Sequence, residues 1–298
     1  MSFKRFFVFI FALVFVTTKV AIGGDNFTPT VESVFLHKSP FINADAYENG
    51  IINDLVASGT LNLYLNGLVQ DMDGSSDIVS VSGVFYRSGA PIGADCLADN
   101  NFCYRIATCN TQTTENPFQL RYSCPLSVWY YADATVGGGR YENEDWRAFI
   151  QVNDQVSSSF NNFFSREVST LLALTIPDRI DFGPRSLGSI TTSENNVAMP
   201  ISQGGNVLAD VEVSGSEPLI CSENGSIPAQ NQGWALMDVG FGDSVALTSS
   251  AVDTNLNVFY QEDDLQASFK ELYWNISIPS SGLRGVCSGS TVITAIAH

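Results

Sequence analysis

Apolar and polar residues alternate with a period of two through much of this chain. In LNLYLNGLV, Leu61, Leu63 and Leu65 share one face while Asn62, Tyr64 and Asn66 share the other. WRAFIQV places Trp146, Ala148, Ile150 and Val152 together, and LYWNISIP does the same with Leu272, Trp274, Ile276 and Ile278. TVITAIA repeats the pattern near the end of the sequence. Successive side chains of a strand point to opposite sheet faces, so this period predicts half-buried strands. VSVSGVFYR, FQLRYSC and ADVEVSG add further strands. Turn clusters such as DGSSD, VGGGR and SENGS separate them. Two short stretches, Asn43 to Val56 and Asp264 to Leu272, have a helical look. Many short strands and frequent turns predict an all-β protein of two immunoglobulin-like β-sandwich domains in tandem.

The strand-like run from Arg166 to Ile176 meets Pro177, and a new pattern starts at Ile180. We therefore expect a first sandwich over 24–174 and a second over 175–298. The junction is short and not rich in Gly or Ser, which favours a semi-rigid connection. Residues 1–23 read as a secretory signal peptide. Lys4 and Arg5 precede the apolar run Phe6 to Val16, and Ala21 and Gly23 supply the small residues of a cleavage site. That run is too short to cross a bilayer. An uncleaved anchor is the alternative, since Lys19 flanks the run.

Within the second half, RIDFGPRSLGSITTSENNVAMPISQGGNVLADVEVSG resembles the opening of the ASPM/SPD-2/Hydin-like immunoglobulin-fold repeats. Asp181, Phe182 and Gly183 match the first element, Gly188 and Ser189 the second, and Gly205 and Asn206 the turn. Gln203 stands where those repeats usually carry asparagine. The likeness covers about forty residues. The whole chain also resembles uncharacterised secreted surface proteins of small-genome bacteria. Both likenesses imply a surface or secreted β-protein and carry no catalytic residue.

Charge narrows the partners. The formal net charge is −17 at pH 7, and removing Lys4, Arg5 and Lys19 with the leader makes the remainder more acidic. Such a surface repels nucleic acid and anionic lipid and suits cations or a basic partner. The six cysteines fit an exported protein. Cys96, Cys103, Cys109 and Cys124 form one group; Cys221 and Cys287 lie far downstream. Three pairings are open to the first group. Cys96–Cys103 with Cys109–Cys124 is favoured, because each bridge then staples one local loop, leaving Cys221–Cys287 for the second sandwich. Zinc is rejected, because the spacings are too long for its short ligand pairs and only two histidines exist.

One loop carries candidate chemistry. DMDGSSD, Asp71 to Asp77, falls between the strands expected to be B and C, and Asp154 follows the strand expected to be F. B–C and F–G loops share one pole of a sandwich, so Asp71, Asp73, Asp77 and Asp154 are expected to converge. Calcium takes six to eight oxygen ligands, and these carboxylates make it the candidate cofactor. The competing reading is an acidic turn, because Asp and Gly cap local backbone and tolerate unusual dihedrals. Glu142 to Asp145 reads as a solvated turn. No catalytic motif stands out. GVCSG imitates a nucleophile elbow, but Cys287 is needed for a bridge and no histidine base is at hand. Trp129, Tyr130 and Tyr131 are adjacent and offer a sugar-binding face, with at least one expected inside. Sequons begin at Asn26, Asn224 and Asn275, of which Asn224 is the better placed. The functional expectation is a secreted or cell-surface structural or adhesion protein without catalytic activity. Its partners would be other cell-surface proteins or glycans, with no nucleic acid and no membrane span after cleavage. A carbohydrate-binding module or accessory glycan-active protein, and an extracellular filament subunit, are the alternatives.

Overall fold

The computed structural model describes residues 26–262 and 268–297. The leader expected over 1–23 lies outside the described residues, as do Asp264 and His298.

The first sandwich has nine strands: β1 (Thr30–His37), β2 (Ile51–Ile52), β3 (Thr60–Gln70), β4 (Ser80–Arg87), β5 (Cys103–Ile106), β6 (Asn110–Thr113), β7 (Gln119–Trp129), β8 (Trp146–Asn153) and β9 (Ser158–Val168). One sheet runs β1-β3-β7-β6 and the other β2-β9-β8-β4-β5. This is the immunoglobulin order A-B-E-D facing A′-G-F-C-C′, so β3, β4 and β8 are strands B, C and F. The period-two pattern explains the burial. Leu63 and Leu65 of β3, and Trp146, Ala148, Ile150 and Val152 of β8, are fully buried. Each large apolar side chain so buried contributes about 1.5–3 kcal/mol before entropy is counted. Phe85 of β4 stacks on Trp146 with ring centroids 5.0 Å apart. A register shift in β1 between Val31 and Ser33 brings the Ser33 carbonyl against β3. Only glycine fits at position 67, because a Cβ there would collide with that carbonyl.

Among the described residues, the second sandwich has eleven short strands: β10 (Leu174–Thr175), β11 (Val197–Gln203), β12 (Ala209–Ser214), β13 (Leu219–Cys221), β14 (Ser226–Ile227), β15 (Gln232–Ala235), β16 (Val245–Ala246), β17 (Val252–Asp253), β18 (Phe269–Ile276), β19 (Cys287–Ser288) and β20 (Val292–Ala297). Sheet β10-β11-β18-β15-β16 faces sheet β17-β12-β20, and β14-β13-β19 carries the β12/β20 ladder onward. Its core holds Met199, Ile201, Val211, Val213, Trp234, Leu272 and Trp274.

Three local readings are corrected. Residues 43–56 are turns plus β2, not helix. Asp45 accepts the Tyr47 N–H and Asn49 the Ile51 N–H, so turn caps override the helical spacing. Of the second helical stretch, Phe269 to Leu272 open β18. The run from Arg166 to Ile176 is not one strand, because β9 ends at Val168 and β10 begins at Leu174.

The sandwiches meet through buried polar contacts. The Asn206 amide donates to the carbonyls of Ala132 (2.9 Å) and Ser169 (3.0 Å), while its oxygen accepts the Leu171 N–H. Asn101 donates to the carbonyls of Tyr131 and Gln261, and the Tyr130 hydroxyl to the Gln261 side chain. Arg140 lies over the Tyr260 ring and pairs with Glu262 at 3.0 Å.

Candidate functional site

Two turns build the acidic pole. After β3, Asp71 accepts the Asp73 N–H at 2.9 Å, and Gly74 adopts φ +123°, a conformation that glycine tolerates. The Asp71 and Ser75 N–H groups donate to the carbonyls of Phe118 and Pro117, which ties the turn to the lead-in of β7. After β8, Asp154 caps the next turn. It accepts the N–H groups of Val156 (2.6 Å) and Ser157, the Ser157 hydroxyl (2.8 Å) and the Asn26 amide (3.0 Å). Asp73 accepts the Phe27 N–H at 2.6 Å. The segment before β1 is thus held by carboxylates from both turns.

Electrostatics divides these carboxylates. Asp71 is 1% exposed, and its Oδ2 accepts no hydrogen bond. Burial raises its pKa first, and the nearby charges of Asp73, Asp154 and Asp77 raise it further against the Asp73 N–H. The N–H of Ser157, then that of Val156, the Asn26 amide and the Ser157 hydroxyl hold Asp154 well below the usual carboxylate range. All four acids therefore lie within electrostatic reach at one pole. Asp71 Oδ1, Asp73 Oδ2 and Asp154 Oδ1 already accept backbone N–H groups, and Asp154 Oδ2 accepts the Asn26 amide and the Ser157 hydroxyl. Among the described residues, no group of three or more His, Cys, Asp or Glu side chains is close enough together to hold a metal ion. Among the described residues, Asp71 Oδ2 is the buried oxygen of this pole without a hydrogen-bond donor. Spacing alone missed Asn26 and Ser157. Ser157 had a signal in the DQVS stretch, since Asp followed by a small hydroxyl residue is turn chemistry. Asn26 had only its sequon.

The other candidates resolve differently. The disulfides are Cys96–Cys103, Cys109–Cys124 and Cys221–Cys287, and the chain has no free cysteine. Tyr130 and Tyr131 are buried at the junction, with Trp129 half-buried and stacked on Tyr131, so this triplet is not an exposed sugar platform. The turn from Glu142 to Asp145 is not simply solvated. Glu144 pairs with Arg87, a buried cation that also binds Asp133 at 2.9 Å and lies 3.6 Å from the Tyr141 ring centre. Burial raises Asp133 to about 6, more than Arg87 lowers it. His37 accepts the Ser39 N–H. Asn275 is fully buried, whereas Asn224 is exposed in its turn.

No family model matches the chain, and no curated protein matches it. Among solved structures, a chimeric titin Z1Z2-Z1Z2 tandem functionalised with a GRGDS peptide from fibronectin aligns over 90% of this chain and 96% of its own. The identity is 10% and the TM-score 0.20, so the fold assignment rests on the strand order described above.

Proposed function

We propose that this protein is a structural or adhesive module of the cell exterior, without catalytic activity, that engages other surface proteins or glycans. The observation that carries the reading is the pairing of two immunoglobulin-like sandwiches, stapled by three disulfides and locked by buried polar contacts. Disulfides persist in oxidising compartments, and a rigid tandem suits holding a partner at a fixed distance. No helix of the described residues is long and apolar enough to cross a membrane. Calcium at the acidic pole belongs to the same proposal. Asp71, Asp73, Asp77 and Asp154 would hold it, and its charge would offset their mutual repulsion and steady the segment before β1. The test is fractionation of the native source, with unreduced peptide mapping. Recovery outside the cytoplasm with all six cysteines bridged is expected. Recovery from the cytosol with free thiols would sink the reading. Selective binding on a glycan array would favour the carbohydrate-binding alternative.

A further inference from the structure

The two facing sheets of the second sandwich part at one margin. Their edge strands there, β16 and β17, have two residues each. Very short edges discourage pairing with other chains, but they close little of the space between the sheets. A trough of about 660 Å³ results, within the roughly 300–1,000 Å³ of sites that receive ligands. Its floor is Trp234, which is 5% exposed and lies opposite Val245 on one side and Trp274 on the other.

Both walls are held in place. Beside β17, the Thr254 hydroxyl and the Leu256 N–H donate to the fully buried carboxylate of Asp210. Asp253 accepts the Asn255 N–H. Beyond β15, the Asn196 amide donates to the Asp238 carboxylate (2.8 Å) and the Val239 carbonyl (3.0 Å), which fixes the turn after Ala235. The trough is therefore preformed, so a guest need not order it. Its walls nevertheless leave apolar surface in water. Leu236 is 42% exposed, Val245 46% and Met237 71%. A contiguous apolar surface rimmed by polar groups marks an interaction site, and methionine adapts to guests of different shape. The rim is acidic. Asp243 and Asp253 line the trough and are exposed. Among the described residues, neither is paired with a cation, and no lysine or arginine lines the trough.

We propose that this trough receives a segment of a partner protein in which an apolar side chain stands beside a lysine or arginine. The apolar side chain covers Trp234, Val245 and Val252, and the cation meets Asp243 or Asp253. Charge selects the guest at two scales. The lining holds two carboxylates and no base, and the whole chain carries −17. A free small molecule fits less well, because such ligands are mostly buried in their sites and these walls stay largely open. A second copy would bring the same −17 charge. The inference rests on the partner-binding reading above and names the partner's chemistry. The two can fail separately, because this one is tested on the purified full chain wherever that chain resides.

The probe is the capped peptide Ser-Leu-Lys-Leu-Lys-Ser. One control replaces both lysines with glutamate, a second replaces both leucines with serine, and n-hexylamine supplies a free organic cation. The indole N–H resonance of Trp234, assigned by its loss in Trp234→Phe, reports occupancy. Those of Trp129 and Trp146, in the first sandwich, are the references. The probe should shift Trp234 saturably and leave the references in place. Its dissociation constant should be lower than that of either control peptide by about tenfold or more. Asp243→Asn with Asp253→Asn should weaken binding by about tenfold, whereas Glu115→Gln, at an exposed acid of the first sandwich, should not. Asparagine at 253 can still accept the Asn255 N–H, and unmoved reference indoles check that the variant is folded. Four results would each overturn the proposal: no shift of Trp234 at saturating peptide, equal binding of the serine control, equal binding of the glutamate control, or unchanged affinity in the Asp243, Asp253 variant. Hexylamine binding as tightly as the probe would give the trough to a small organic cation instead. Dimers in sedimentation that the probe dissociates would give it to a second copy.

Discussion

Among the described residues, β8 of the first sandwich is paired on both sides and its counterpart β20 in the second on one side, although both use the same strand logic. In the first, β9 pairs with β8 on one side and β2 on the other. It buries Val168 completely and seals the row from Trp146 to Val152. In the second, β20 has no strand on its outer side among the described residues, and its core-facing residues stay half open. In the first sandwich β9 adds Val168 and Phe164 to the core, pairs two backbones and helps exclude water from residues on its neighbours. The second sandwich has a covalent tie close to β20. Cys221 of β13 and Cys287 of β19 face each other across the ladder that continues β12 and β20.

Removing that tie should give the largest effect. The bridge spans a sequence separation of 66, against 7 for Cys96–Cys103. Loop-closure entropy assigns about 4 kcal/mol to the first and about 2 kcal/mol to the second. Calorimetry of a Cys221→Ala, Cys287→Ala chain should show a marked fall in the melting of the second sandwich. The paired Cys96→Ala, Cys103→Ala chain should lose about half as much, from the first. Equal losses would remove the idea that the second sandwich leans on its disulfide.

Calcium should sharpen the contrast from the other side. If the acidic pole binds it, the first sandwich gains about 2.7 kcal/mol at free calcium 100 times the dissociation constant, and the second gains nothing. Asp73→Asn should weaken the response, and magnesium should substitute poorly because it demands stricter octahedral geometry. Thermal melts in calcium, magnesium and chelator at matched ionic strength measure this. Identical midpoints would leave Asp71 to Asp77 as a turn that caps its own backbone.

The two buried tryptophans offer a smaller comparison. Trp146 donates its indole N–H to the Asp133 carbonyl at 2.9 Å, whereas the Trp274 N–H is buried without a partner among the described residues. Trp146→Phe orphans a buried carbonyl and should cost about 1–3 kcal/mol in the first sandwich beyond the lost volume. Trp274→Phe removes an unsatisfied donor, so its polar gain offsets the lost volume and its net cost should be the smaller. Denaturant midpoints for the two variants decide the ranking, and the reverse order would contradict it.

The alternating elements were legible because one face is buried and the other wet. Trp146 to Val152 follows that rule, while Leu272 to Ile276 breaks it at Asn275, which is buried between Trp274 and Ile276. The strand β9 hides behind SSFNNFFSREV, whose apolar residues do not recur at every second position. The helical look of residues 43–56 failed because Asp45, Asn49 and Gly50 impose turns. Placing Asp71 and Asp154 at one pole followed from sandwich topology. The backbone donors that occupy their oxygens were invisible, because hydrogen-bond geometry leaves no mark on composition. Adjacent aromatics misled for a related reason. The strand β7 ends at Trp129, and the turn after it lets both Tyr130 and Tyr131 enter the junction.

The smallest effect concerns acid, and it separates two carboxylates of the same pole. Asp154 has a folded pKa depressed below its unfolded value by the N–H of Ser157 and further donors. Its stabilisation is therefore fully present above an unfolded pKa of about 3.9 and is lost as pH falls through the lower folded value. Asp71 behaves oppositely. Burial and three neighbouring acids raise its folded pKa, so it binds its proton more tightly when folded. Its ionisation costs stability as pH rises through that raised value, and the cost disappears once it is protonated. On acidification, Asp71 should thus take up a proton first, easing the repulsion, and Asp154 last, releasing the turn that holds Asn26. Carbon-detected NMR titration of the two carboxyl groups measures the order directly. Asn26→Ala removes one donor from Asp154 and should raise its titration midpoint while leaving Asp71 the higher of the two. If Asp154 titrates above Asp71 in the unaltered chain, the division of labour between the two turns is wrong.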